Sequence, residues 1–138
     1  MTASDLDDRA IRQILETAKT VAVVGLSDKP DRESYKVAKY LQEHGYRIIP
    51  VNPTVGEVLG EKSYASVTDI PGRVDVVDVF RKPEAVAPVA QEAIDAGAGT
   101  LWMQLGVVNQ EAADTAEAAG LQVVMDHCMK MEHERLLG

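Results

Sequence analysis

The chain has 138 residues, enough for one domain with a real core and too few for a second catalytic lobe. Its 14 Lys and Arg stand against 22 Asp and Glu, a formal net charge of −8 that excludes a nucleic-acid-binding surface, because phosphate-backbone affinity rests on an excess of cations. A single cysteine, Cys128, excludes an internal disulfide framework, no apolar run approaches a membrane span, and Met1 to Ala10 lacks the basic and apolar regions of a signal peptide, so the chain reads as soluble and cytoplasmic.

A leading helix from about Leu6 to Ala18 places Ile11, Ile14, Leu15 and Ala18 on one face. The first strand, Val21 to Gly25, breaks into a polar loop, L-S-D-K-P-D-R-E-S, that opens a helix from Tyr35 to His44 with apolar positions at Val37, Tyr40, Leu41 and His44. Ser34 is the expected N-cap of that helix. A second strand, Arg47 to Val51, leads into the one long connection, Asn52 to Gly72, which carries Pro53, Gly56, Gly60 and Pro71 and reads as a loop with a helical turn near Ser66 to Asp69. Then follow a strand at Val74 to Val79, a helix at Val86 to Ala96, a strand at Thr100 to Met103, a helix at Gln110 to Ala119, a strand at Leu121 to Met125, and a short closing helix after Cys128. Gly45, Gly97 and Gly120 mark helix ends.

This alternation predicts a single α/β domain over residues 1–138: a doubly wound, five-stranded parallel sheet with helices on both faces. The expected strand order is 3-2-1-4-5, which puts the ligand crevice between the first and fourth strands.

The loops that follow the strands carry the chemistry. Lys29, Arg32 and Lys36 gather around the start of the first crossover helix, where free amide N–H groups and the helix dipole favour an anion. Arg81 and Lys82 follow the third strand, so a local cationic patch on an acidic chain points to a small polyanion. The first loop is not a dinucleotide fingerprint: Gly25 is followed by Leu26, Ser27 and an insertion with Pro30, and the second strand ends in Asn52 where an acidic residue would hold a ribose hydroxyl. Asn52 is either a turn initiator before Pro53 or a paired donor and acceptor for a base or ribose edge. Trp102 is expected in the core, and Asn109 is expected as a helix N-cap. His127, Cys128 and His133 match no closed zinc site, so no metal is assigned, and His133 is expected on the solvent face of the last helix.

V-V-G-L-S at 23–27, R-E-S at 32–34, P-V-N-P at 50–53, V-D-V-F-R at 77–81, L-W-M-Q-L-G-V at 101–107 and D-H-C-M-K at 126–130 occur in the order and spacing of a known family. On these motifs the chain resembles the small stand-alone coenzyme A-binding proteins, whose Rossmann-like domain is related to the N-terminal domain of succinyl-CoA synthetase alpha subunits. The resemblance implies that Gly25, Ser27, Arg32 and Ser34 cradle the CoA diphosphate, and that adenine lies against Val51, Asn52 and Pro53. Arg81 or Lys82 offers the second charged point that a 3′-phosphate needs, and Phe80 is either wall or core, with wall preferred; the resemblance further implies that Gln104 and Gly106 contact the pantetheine arm and that Cys128 lies toward the thiol.

The chain is therefore expected to bind CoA or an acyl-CoA as a carrier, sensor or accessory module without chemistry of its own. No nucleophile elbow of the G-x-S-x-G kind occurs in it. Two alternatives stand beside this reading: a CoA-presenting subunit of an acyl-CoA ligase with a separate ATP-grasp partner protein, and a sensor of another nucleotide such as NAD(P).

Overall fold

The computed structural model describes residues 6–138, so the reading of Met1 to Asp5 lies outside the described residues. In chain order the elements are α1 (Asp8–Thr17), β1 (Thr20–Val24), α2 (Glu33–Glu43), β2 (Arg47–Val51), β3 (Glu57–Val58), β4 (Glu61–Lys62), β5 (Val76–Val79), α3 (Val86–Asp95), β6 (Thr100–Met103), α4 (Gln110–Ala118), β7 (Gln122–Val124) and α5 (Met129–Leu136). The main sheet holds β1, β2, β5, β6 and β7, all parallel, as the alternating pattern requires.

Side chains alternate across this sheet, and both faces are covered. Ala22, Val24, Val77, Val79, Leu101 and Met103 pack with Val86, Val89 and Ala90 of α3 and with Ala112, Ala113 and Ala116 of α4. Val21, Val23, Ile48, Val76 and Trp102 pack on the other side with Ile11, Ile14 and Leu15 of α1, Val37 and Leu41 of α2, and Met129 of α5. Trp102 is fully buried, as expected, and its indole N–H donates to the His127 carbonyl at 2.8 Å.

The strand order corrects one expectation. It is β2-β1-β5-β6-β7, so the third strand of the main sheet lies directly beside the first, where 3-2-1-4-5 would place it outside the second. The reason is Pro50, which has no N–H to give to a ladder and so belongs on an edge strand. The Val51 carbonyl accepts from Gly25 N–H on the β1 side, while the Pro50 carbonyl points outward and accepts from Tyr64 N–H at 3.0 Å. The ring nitrogen therefore faces the edge, where no main-sheet hydrogen bond is lost. The crevice at the reversal of strand order consequently opens between the tips of β1 and β5.

Three local readings also change. Ser34 is not the cap of α2: Arg32 occupies that position without a side-chain cap bond, and buried Ser34 sits in the first turn, its Oγ accepting from Ser27 N–H at 3.0 Å. The long connection contains the expected helical turn, at Val67–Asp69, but also the unforeseen β3–β4 hairpin. His133 is buried against Tyr40, whose hydroxyl lies 2.8 Å from its Nδ1, and does not ride the solvent face. Burial, then the neighbouring His44, pull the His133 imidazole below its ordinary pKa.

Candidate functional site

Everything that converges on the upper edge of the sheet starts from Gly25. Its φ of +86° lies in the left-handed region, and a Cβ there would stand 2.2 Å from the Phe80 carbonyl oxygen. Gly25 N–H donates to Val51 and Phe80 N–H to Val24, each at 2.8 Å. The glycine thus seals the tips of β2, β1 and β5 together, and its own amide is already engaged by protein.

The loop beyond it is internally braced. Ser27 Oγ accepts from Lys29 N–H at 3.1 Å, and Asn52 Nδ2 donates to the Leu26 carbonyl at 3.0 Å. Asn52 Oδ1 accepts from both the backbone and the hydroxyl of Thr54, so both ends of that amide serve the loops. Val51 is buried within its strand, whereas Pro53 is exposed beside it. At the head of α2 no side chain caps the helix, and the first backbone bond of the helix is Lys36 N–H to Arg32 O. The Glu33, Ser34 and Tyr35 amides are the orphan donors such a start leaves. Among the described residues, Lys29, Arg32, Lys36, Arg81 and Lys82 take part in no ion pair, although the chain carries a formal net charge of −8.

Next to this helix start lies a cavity of about 560 Å³, lined by Glu33, Phe80, Arg81, Lys82, Gln104, Leu105, Val107, Cys128 and Met131. It joins the ends of β5 and β6 to the head of α5. Five residues singled out from the sequence, Phe80, Arg81, Lys82, Gln104 and Cys128, meet in it. Phe80 is half-buried and serves at once as cavity wall and as packing against the α1, α2 and α5 face. Gly25, Ser27, Arg32, Ser34, Val51, Asn52, Pro53 and Gly106 are not among the lining residues.

Gln104 is only 4% exposed, and its Oε1 accepts from Met129 N–H at 3.0 Å, capping α5 from across the cavity floor. Among the described residues no hydrogen bond takes up the other side of that amide, which leaves a donor at the cavity. Gly106 N–H donates to Asp126 Oδ1 at 2.7 Å, tying the loop after β6 to the loop after β7, where Asp126 itself has a φ of +65°. Cys128 is buried at the head of α5. Its neighbours are separately engaged, His127 Nδ1 lying 3.1 Å from Glu132 and His133 Nδ1 at the Tyr40 hydroxyl. Asn109 caps α4 as expected, accepting from Ala112 N–H at 2.9 Å.

Sequence reasoning missed Leu105, Val107 and Met131 as cavity residues, because only folding brings these apolar side chains to one cavity. It also missed Asp78, fully buried in β5 with neither carboxylate oxygen hydrogen-bonded among the described residues. Burial pushes that carboxyl well above the usual carboxylate range.

Comparison with known proteins agrees with this architecture. A solved structure of a hypothetical protein from Pyrococcus horikoshii OT3 is 48% identical, with a TM-score of 0.96 over 100% of this chain and 97% of that one. The Bacillus subtilis protein YneT is 47% identical over 123 residues, covering 89% of this chain and 91% of its own length. The alpha subunit of acetate–CoA ligase [ADP-forming] I from Pyrococcus furiosus is 32% identical over 128 residues, which are 81% of this chain but only 28% of the subunit. Residues 19–134 match the family described as CoA binding domain, and the chain belongs to that family.

Proposed function

We propose that the chain binds coenzyme A or an acyl-CoA and acts as a carrier, sensor or accessory module without chemistry of its own. The observation that carries this reading is a single one: Arg81 and Lys82, without ion-pair partners among the described residues, and an uncapped helix start border a largely apolar cavity beside the reversal of strand order. CoA has the matching form, a polyanionic nucleotide joined to a long, weakly polar arm ending in sulfur. The diphosphate lies at the head of α2, held by its free amides, the Ser27 and Ser34 hydroxyls and the Arg32 guanidinium. Adenine rests at Val51, Asn52 and Pro53, and Arg81 meets the 3′-phosphate. The arm runs past Phe80, Gln104 and Gly106, and its sulfur ends near Cys128.

A second reading is favoured by the likeness to a ligase alpha subunit: the same module presents CoA to a separate ATP-grasp partner. Acyl-CoA formation from acid, ATP and CoA would then need that partner and be absent with this chain alone.

Thermal melts with CoA, NAD and AMP test the primary reading. CoA at 100 times its dissociation constant adds about 2.7 kcal/mol by mass action, which raises Tm by about 9 °C for a chain of this length. NAD and AMP are expected to do much less. A larger shift with NAD than with CoA overturns the assignment and supports the nucleotide-sensor alternative.

A further inference from the structure

The described residues leave three large apolar side chains strongly exposed: Leu105 at 61%, Val108 at 48% and Met131 at 57%. They are not scattered. Leu105 and Met131 both line the cavity already described, and Val108 belongs to the same loop after β6. Buried Val107 and Cys128 continue the apolar surface inward, while Arg81 and Lys82 lie in the wall contributed by the segment after β5. The cavity is therefore amphipathic: Arg81, Lys82 and the single acid Glu33 give it a charged side with an excess of cations, and the rest of the rim is apolar. Apolar side chains concentrated at the rim of a concave site mark a place where a ligand or partner covers them.

We infer that this rim is an acyl-chain subsite, and that the preferred ligand is an acyl-CoA bearing a straight apolar chain. The inference rests on the CoA reading above. Free CoA ends in a thiol, which gives Leu105 and Met131 little to pack against. An acyl chain leaving the sulfur near Cys128 passes between them and removes both from water. Gln104 adds a second feature. Its Oε1 is engaged by Met129 N–H, which leaves Nε2 as an unpartnered donor among the described residues of the cavity lining, and a carbonyl oxygen is a far better acceptor for it than a thiol. The charge layout selects the occupant: a protein docking on the rim alone would leave Arg81 and Lys82 unanswered, whereas an acyl-CoA supplies phosphates and chain in one molecule.

Calorimetric titration with CoA and hexanoyl-CoA tests this, on the wild type and on the double variant Leu105→Ser/Met131→Ser. Both positions are exposed, so the variant keeps the core intact. Each fully buried methylene is worth about fourfold in affinity, so hexanoyl-CoA is expected to bind at least about tenfold tighter than CoA to the wild type. In the double variant that preference falls to within about threefold. Equal binding of CoA and hexanoyl-CoA by the wild type overturns the subsite and leaves the CoA reading standing, with the rim then assigned to a protein partner. A tenfold preference that survives in the double variant also overturns it, because the chain must then lie elsewhere. Binding of neither ligand removes the CoA reading and the subsite together.

Discussion

Gly25 and Asp78 show two ways in which one residue constrains this protein. For Gly25 the constraint is steric: any side chain must adopt a left-handed φ and also displace the Phe80 carbonyl, which belongs to the sheet and not to a flexible side chain. The conformation alone costs about 1–2 kcal/mol, and the displacement adds to it. Gly25→Ala is expected to lower stability by at least about 2 kcal/mol, read as a fall in the denaturant midpoint; a change under about 0.5 kcal/mol would contradict the geometry. For Asp78 the constraint is electrostatic. Its carboxyl is neutral over a range where an unfolded chain ionises it, so the folded state holds the extra proton. Stability from this group is fully present below the ordinary carboxylate pKa of about 3.9 and is lost as pH rises toward the raised folded value. Asp78→Asn removes that dependence. The variant's stability relative to wild type should climb with pH above about 4, by up to about 1.4 kcal/mol per unit; parallel pH profiles would show that the carboxyl is not held neutral.

The helices and strands are joined by a few polar ties placed where an element ends. Helix α1 leaves its last carbonyls without intrahelical partners. Ala18 N–H takes that of Ile14, and the buried Tyr46 hydroxyl, arriving from the start of β2, donates to that of Leu15. Burial pushes the Tyr46 phenol up to about 12, so it stays a donor throughout the physiological range. Tyr46→Phe leaves the Leu15 carbonyl buried and unpaired and is expected to cost about 1–3 kcal/mol, checked by urea unfolding. An unchanged midpoint would mean that water replaces the hydroxyl. At the other end of the chain, Arg135 of α5 reaches both oxygens of Asp8 on α1 and also pairs with the largely buried Glu132, so the first and last helices close on each other. Gln104 does the corresponding work at the site, linking the end of β6 to the head of α5. The closing helix is therefore part of the cavity's frame, which explains how Met131, far along the chain, comes to line the same cavity as Leu105.

For the molecule as a whole, the elements were legible in the sequence because short apolar runs separated by helix-period segments have one good solution, a parallel sheet covered on both faces. The anion-ready start of α2 and the cations around it were legible for the same local reason, since a strand, a glycine, a polar loop and a helix are all written within 15 or so residues. Asn109 was legible because an N-cap bonds within three residues, and Trp102 because a residue inside an apolar strand of a sheet covered on both faces is buried whichever face it takes. Strand order was not read correctly, although Pro50 held the information: its meaning emerges only when one asks which neighbour each backbone N–H must serve. His133 escaped because its partner Tyr40 is distant in sequence, the β3–β4 hairpin because strands of two residues show no period, and Ser34 because the helix starts at Glu33, one residue before it. The cavity itself was decided by tertiary structure alone. Phe80, Gln104, Cys128, Leu105 and Met131 come from three strand ends and a helix, and the distance between such positions is set by sheet spacing and helix docking. Sequence fixes which side chains a strand end carries; only the packed sheet determines which strand ends are neighbours, because pairing energy is shared over the whole ladder and is never local to one segment.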